Sequence, residues 1–240
     1  MTAHTTTDET AARACMASLV RSLAENKAAL GRRYAEWAVS APTLESAVAA
    51  AAMAQDELGH ARATYPVLKA LGAESAEDGL EGGGHPLALL DDELADWAAF
   101  IAANLVVDGV LTTFVSACVD SAVAQLAQRA RKILQEEGSH RVHGEAWARR
   151  LCRAGNDQRE AFVGRLQDTW AEAGRWVGPS DDAGFRAALN AGMVKHDPAF
   201  QREQVRDWLV GLLAAEGAML TLEEFDDWGR WDAATRRWSP

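Results

Sequence analysis

The sequence predicts an all-α fold, a four-helix bundle core with additional C-terminal helices, and three observations carry that expectation. Ala, Leu, Glu and Arg dominate, β-branched runs are scarce, and Gly and Pro gather at a few places, as in chains built from long helices. Apolar residues recur at alternating steps of three and four through four long segments, the seam pattern of helices packed nearly parallel. Each seam is apolar at its ends and polar or ionisable in its middle. Finally, 240 residues suffice for one large helical core, and no compositional break divides them. We expect a single domain over 1–240, with the core bundle at about 8–155 and C-terminal helices with a Trp-rich tail at about 156–240.

Helix one is expected to run from Asp8, an N-cap candidate, to Ser40-Ala41-Pro42, because the residue before a proline resists the α conformation. Its seam is Met16, Val20, Leu23, Lys27, Leu30, Tyr34 and Trp37. Helix two starts at Pro42 and ends near Gly72, with Pro66 imposing a kink or early end around Thr64. Its seam is Ala50, Met53, Glu57, His60, Thr64, Val67 and Leu71. Ala73–Pro86 contains EGGGHP and reads as a loop. Helix three begins after Asp91-Asp92 and continues to about Cys118, with the seam Leu94, Trp97, Ile101, Asn104, Asp108, Leu111 and Val115. Helix four covers Ser121 to Ala154, with the seam Leu126, Ala130, Ile133, Glu137, His140, Gly144, Trp147 and Leu151. Beyond Gly155-Asn156, two or three further helices precede a tail with Trp228, Trp231 and Trp238, suited to docking on the bundle or on a partner subunit.

Charge and cysteine usage exclude several classes. With 24 Lys and Arg against 35 Asp and Glu, the net charge of −11 would repel a phosphate backbone, so nucleic acid is not an expected partner. Cys15, Cys118 and Cys152 are far apart, odd in number and set among apolar helical residues, and read as reduced core thiols. The stretch MTAHTTTDET lacks a basic and apolar leader, and no window suggests the roughly 18 uncharged apolar residues of a membrane span. A soluble, cytoplasmic protein with no membrane partner is expected.

The middles of the seams carry the chemistry. Glu57 and His60 in QDELGHAR, and Glu137 and His140 in QEEGSHRVH, share an i, i+3 spacing that projects both side chains from one helix face. Each pair can offer one oxygen and one nitrogen to a single ion. Unpaired charges in a bundle core cost several kcal/mol each, so such a cluster needs a compensating partner, and a bound cation supplies it. Glu-x-x-His on two helices with one carboxylate on each of the other two is the arrangement of ferritin-like di-iron and di-manganese proteins. Asp108, 29 residues before Glu137, supplies one of those carboxylates. The matching position before Glu57 is Ala28 or Lys27, so the sixth ligand is missing; Glu25 and Glu36 project away from the seam. A weakened two-metal site, a single metal, or no metal with Lys27 as counterion all fit. Lys27 either turns its amine into the cluster or snorkels out of the seam. His143 reads as a partner of the site or, more blandly, as a surface histidine, and His4, His85 and His196 read as solvated.

Gln55–His60, the LVVDG at Leu105–Gly109, the EEGSH at Glu136–His140 and Ala41-Pro42-Thr43-Leu44 resemble motifs of the phenylacetyl-CoA epoxidase A/C subunit family, ferritin-like oxygenases of aerobic phenylacetate breakdown. The resemblance covers residues 25–155. It implies a mono-oxygenase-type oxidoreductase that activates O2 on two irons and acts on an aryl-CoA or related small aromatic substrate. By position, Glu57, His60, Asp108, Glu137 and His140 match ligands, and Lys27 stands where a glutamate belongs. The implied cofactor is two iron ions, or one if Lys27 blocks a position, with manganese as the alternative. The implied partners are a reductase and either further copies of the chain or a related ferritin-like subunit. The family's structural companion subunits have lost most ligands. Two other readings therefore stay open, a non-catalytic companion subunit and a metal-free bundle with a structural Lys27–carboxylate cluster.

Overall fold

The computed structural model describes residues 2–74 and 87–238, with side chains from Thr7 onward. The EGGGHP segment and His85 lie outside the described residues, as does the side chain of His4. The chain is all-α, as expected: α1 (Thr2–Trp37), α2 (Leu44–Thr64), the short α3 (Val67–Ala70), α4 (Trp97–Ala102), a π-helical turn over Ala103–Asp108, α5 (Gly109–Ala117), α6 (Ala124–Arg153), α7 (Asn156–Ala173), α8 (Ala183–Asn190) and α9 (Pro198–Ala214). The segments α4, π-turn and α5 form one continuous helix.

Local chemistry sets most boundaries. Thr43, in extended conformation after Pro42, caps α2 by accepting from the Ser46 amide, and Pro66 ends that helix where expected. Asp96, Asp182 and Asp197 cap α4, α8 and α9 through the amides of Ala99, Phe185 and Phe200. Helix one departs from expectation: it starts at Thr2, with Asp8 inside it. No Gly or Pro stands between Thr2 and Asp8, so nothing local stops the helix from extending past that cap candidate.

All four expected seams face inward, with every member buried or half-buried. Two glycines mark close approaches beside the centre of the bundle. A Cβ on Gly31 would lie 3.0–3.1 Å from Leu58, Ala54 and Glu57 of α2, and one on Gly144 of α6 would fall 2.1 Å from Asn104 Oδ1 in the π-turn. Helix 97–117 corrects one expectation, because by length and composition alone it would cross a membrane. Most of it is buried inside the bundle against α6, α7 and α9, with Asp108 in its middle. Its apolar run is that of a core helix surrounded by protein.

The tail docks on its own chain. A two-stranded hairpin pairs Trp231 with Trp238. Arg236, at φ 54°, donates to the carbonyls of Trp176 and Val177 at 3.0 and 2.7 Å. The Arg175 guanidinium packs over the rings of Phe225 and Trp238, each 4.1 Å away.

Candidate metal centre

Four helices bring the six expected residues to one level of the core: Lys27 from α1, Glu57 and His60 from α2, Asp108 from the end of the π-turn, and Glu137 and His140 from α6. Lys27 is fully buried, which settles its orientation. Its ammonium donates to Glu57 Oε1 at 3.0 Å, Asp108 Oδ1 at 2.6 Å and Glu137 Oε1 at 2.6 Å. An ammonium has three N–H donors, and here each meets a carboxylate from a different helix. The amine does not snorkel.

The histidines close the ring through carboxylates that sequence reasoning missed. His60 Nε2 lies 2.7 Å from Glu136 Oε2, and His140 Nε2 lies 3.3 Å from Asp56 Oδ2. Each imidazole of one Glu-x-x-His helix thus reaches the acid preceding the glutamate on the other, and the crossed pairing shows that α2 and α6 run antiparallel. The inner nitrogens face the cluster. His140 Nδ1 sits 3.2 Å from Asp108 Oδ2, and His60 Nδ1 sits 3.2 Å from Glu137 Oε1, off the line of a hydrogen bond. The signal was present in the sequence as Asp56-Glu57 and Glu136-Glu137, two acidic doublets at matching places.

With carboxylates at both ring nitrogens, both histidines are held as imidazolium. Burial opposes that charge, but the neighbouring carboxylates outweigh it and push His60 up to about 9 and His140 up to about 11. Burial likewise opposes the Lys27 charge, and Asp108, Glu137 and Glu57 overcome it, holding the amine well above its ordinary value. Asp108 is driven below the usual carboxylate range, the effect of burial being outweighed by Lys27 and His140. Glu137 moves the other way, raised by burial and by Asp108 against the pull of Lys27. Counted formally, three cations face three carboxylates, so the inner cluster is neutral by its own side chains.

A pH dependence follows, with its sign fixed by the histidines. A His raised above 6.5 in the folded state contributes stability that is complete below the unfolded value and is lost as pH climbs through the folded one. Thermal unfolding should therefore shift to lower temperature between pH 6.5 and about 9, as His60 loses its proton. In His60→Gln that fall should be shallower. A wild-type melting temperature that is flat over this range, or a variant with the same slope, would contradict the charged assignment of His60.

Four residues can offer one ligand atom each within 4.8 Å of one another: Glu57, Asp108, Glu137 and His140. His60 stands just outside that group, with its outer nitrogen turned to Glu136. The oxygen-and-nitrogen donor set suits a divalent first-row cation, yet the Lys27 ammonium already holds the same three carboxylates. Metal and ammonium compete for one position, so the residues present fit an internal cation better than they fit an ion. Lys27, Glu57, Asp108, Glu137 and the two Glu-x-x-His spacings are a ferritin-like arrangement with one position altered, and a match to a family of that kind spans the whole chain. A family model described as phenylacetic acid catabolic protein matches residues 1–240. The chain belongs to this family. Comparison with curated proteins finds no match. The phenylacetic acid catabolic proteins act within a multi-subunit oxygenase complex, and the match extends the resemblance of residues 25–155 to the C-terminal helices.

An aromatic layer lies beside the cluster. Tyr34 accepts from Asn104 Nδ2 at 3.3 Å and packs on Phe100, which stacks on Trp97 at 4.3 Å between ring centroids. Trp97 in turn meets Trp37, Trp147 and His143. His143 is thus half-buried, which corrects its reading as a surface histidine; burial, then the nearby His140 charge, lowers its proton affinity.

Proposed function

We propose that this chain is a non-catalytic, ferritin-like companion subunit of the phenylacetate-degrading oxygenase assembly. In this reading Lys27 takes the place of the metal cations at the centre of the bundle. One observation carries the reading: a fully buried ammonium is hydrogen-bonded to all three buried carboxylates of the cluster. An internal cation neutralises those carboxylates with the chain alone and gives a rigid core that needs no metal. Its contribution to the assembly is then a stable helical surface for a related subunit.

A second reading, an O2-activating oxygenase subunit holding iron or manganese, has its own support. Ligating histidines commonly give their outer N–H to a carboxylate, and Asp56 and Glu136 stand in those positions. Glu57, His60, Asp108, Glu137 and His140 would be its ligands and an aryl-CoA or related aromatic its substrate, with Lys27 displaced. Metal analysis separates the two. Protein purified aerobically from cells supplied with iron or manganese should carry far less than one equivalent of either, and a chelator should leave its melting temperature unchanged. One or two tightly held ions per chain would replace the companion reading with the oxygenase one.

A further inference from the structure

The body of the protein holds its own acidic tail in the manner of a bound peptide. Residues 218–228 lie outside any helix or strand. Among the described residues, no backbone-to-backbone hydrogen bond joins 219–238 to the rest of the chain. Side chains of the body make the attachment instead. Gln167 Nε2 and Trp170 Nε1 of α7 donate to the carbonyls of Thr221 and Glu223, each at 2.9 Å. Arg175 pairs with the Glu223 carboxylate at 3.1 Å, and Arg206 of α9 pairs with that of Glu224 at 2.7 Å. Arg175 also packs over Phe225, which stacks on Trp170, and Arg202 of α9 lies over the ring of Trp228. Three arginines thus line one groove in a chain of net charge −11. The tail does not fill it. A cleft of about 330 Å³ remains between the tail and α9, and Arg202 stands in its wall. That guanidinium donates to Gly178 O at 2.6 Å and to Ser180 Oγ at 2.8 Å, and among the described residues it forms no ion pair with a carboxylate.

We propose that this groove is a docking site for an extended, acidic segment of a partner protein that also carries aromatic side chains, and that the chain's own tail occupies it as an autoinhibitory stand-in. The tail displays the chemistry the groove selects. In EEFDDW, Glu223–Trp228, carboxylates meet arginines while rings meet guanidinium faces and Trp170, the pairing by which arginine clusters recognise acidic motifs. Bonds from Gln167 and Trp170 to tail carbonyls do not depend on which sequence supplies those carbonyls, so another extended chain can take them over. The open cleft and the unpaired Arg202 leave room for one carboxylate more than the tail brings, which favours a partner over the stand-in. Tethering offsets that advantage, because a segment on a short linker acts at an effective concentration on the order of millimolar. No residue of the central cluster takes part in these contacts, so the inference stands apart from the companion reading.

Fluorescence anisotropy of a labelled synthetic peptide covering residues 219–229 tests this on the full chain. Phe225→Ala combined with Trp228→Ala changes only two half-buried rings of the tail. This variant should free the groove and bind the peptide at least about tenfold more tightly than wild type, with its helical circular dichroism unchanged. A peptide carrying Glu223→Lys and Glu224→Lys should bind the freed variant at least about tenfold more weakly, and adding Arg206→Glu to the variant should weaken the unaltered peptide to a similar degree. A freed variant that binds the peptide no more tightly than wild type overturns the inference. So does binding that neither charge reversal weakens. A freed variant that self-associates where wild type does not also overturns it, because the groove would then take the tail of a second copy.

Discussion

Lys27→Met should lower the unfolding free energy by about 3–5 kcal/mol, the cost of removing one partner from a buried ion cluster. Methionine fills a similar volume and keeps the seam apolar, so the loss isolates the ammonium. Glu57, Asp108 and Glu137 would then share two imidazolium charges where three cations stood before. For a chain of this length, each kcal/mol moves the melting temperature by roughly 2–4 °C, so the shift should be on the order of 10 °C. The sign of its pH dependence gives an independent check. Without Lys27 the carboxylates are easier to protonate, so the gap between variant and wild type should narrow as pH falls towards the carboxylate range and widen above neutrality. Calorimetric scans across pH measure both effects. An unchanged melting temperature would mean that Lys27 is not paired in the core, and the companion reading would lose its supporting observation.

Much of this was legible because helical periodicity and charge act at the same positions. The four seams gave phase, and phase placed Lys27, Glu57, His60, Asp108, Glu137 and His140 at one level, where the structure has them. Three features were not legible, each for a physical reason. Asp56 and Glu136 are off-seam by one residue, and partners across α2 and α6 become visible only once the two helices are known to be antiparallel. The π-turn over Ala103–Asp108 is buried on every side. With no solvent-facing side to contrast with the core, a widened turn cannot be told from a straight helix by hydrophobic pattern. Lys27 itself was ambiguous, because a lysine stem covers apolar surface equally well whether its amine ends in water or in the core. That choice was settled by three carboxylates arriving from other helices, a fact of tertiary packing.

Lys27→Glu should have the opposite character, converting the metal-independent core proposed for wild type into a metal-dependent one. The substitution supplies the carboxylate that the first helix lacks and completes two Glu-x-x-His helices with one carboxylate on each of the other two, the donor set of ferritin-like di-metal proteins. It also removes the ammonium that occupies their meeting point. Without metal the variant holds four carboxylates against two imidazolium groups, so the apo form should be less stable than wild type. Iron(II) or manganese(II) should bind towards two equivalents per chain by elemental analysis. Because binding to the folded state adds RT ln(1 + [L]/Kd), metal at a hundredfold excess over its dissociation constant should restore about 2.7 kcal/mol. A chelator should reverse that gain in the variant and leave wild type untouched. A folded Lys27→Glu chain that takes up no metal would show that the six positions lack the geometry of a di-metal centre. A low metal content in wild type could then not be credited to Lys27, and the cluster would be structural in its own right.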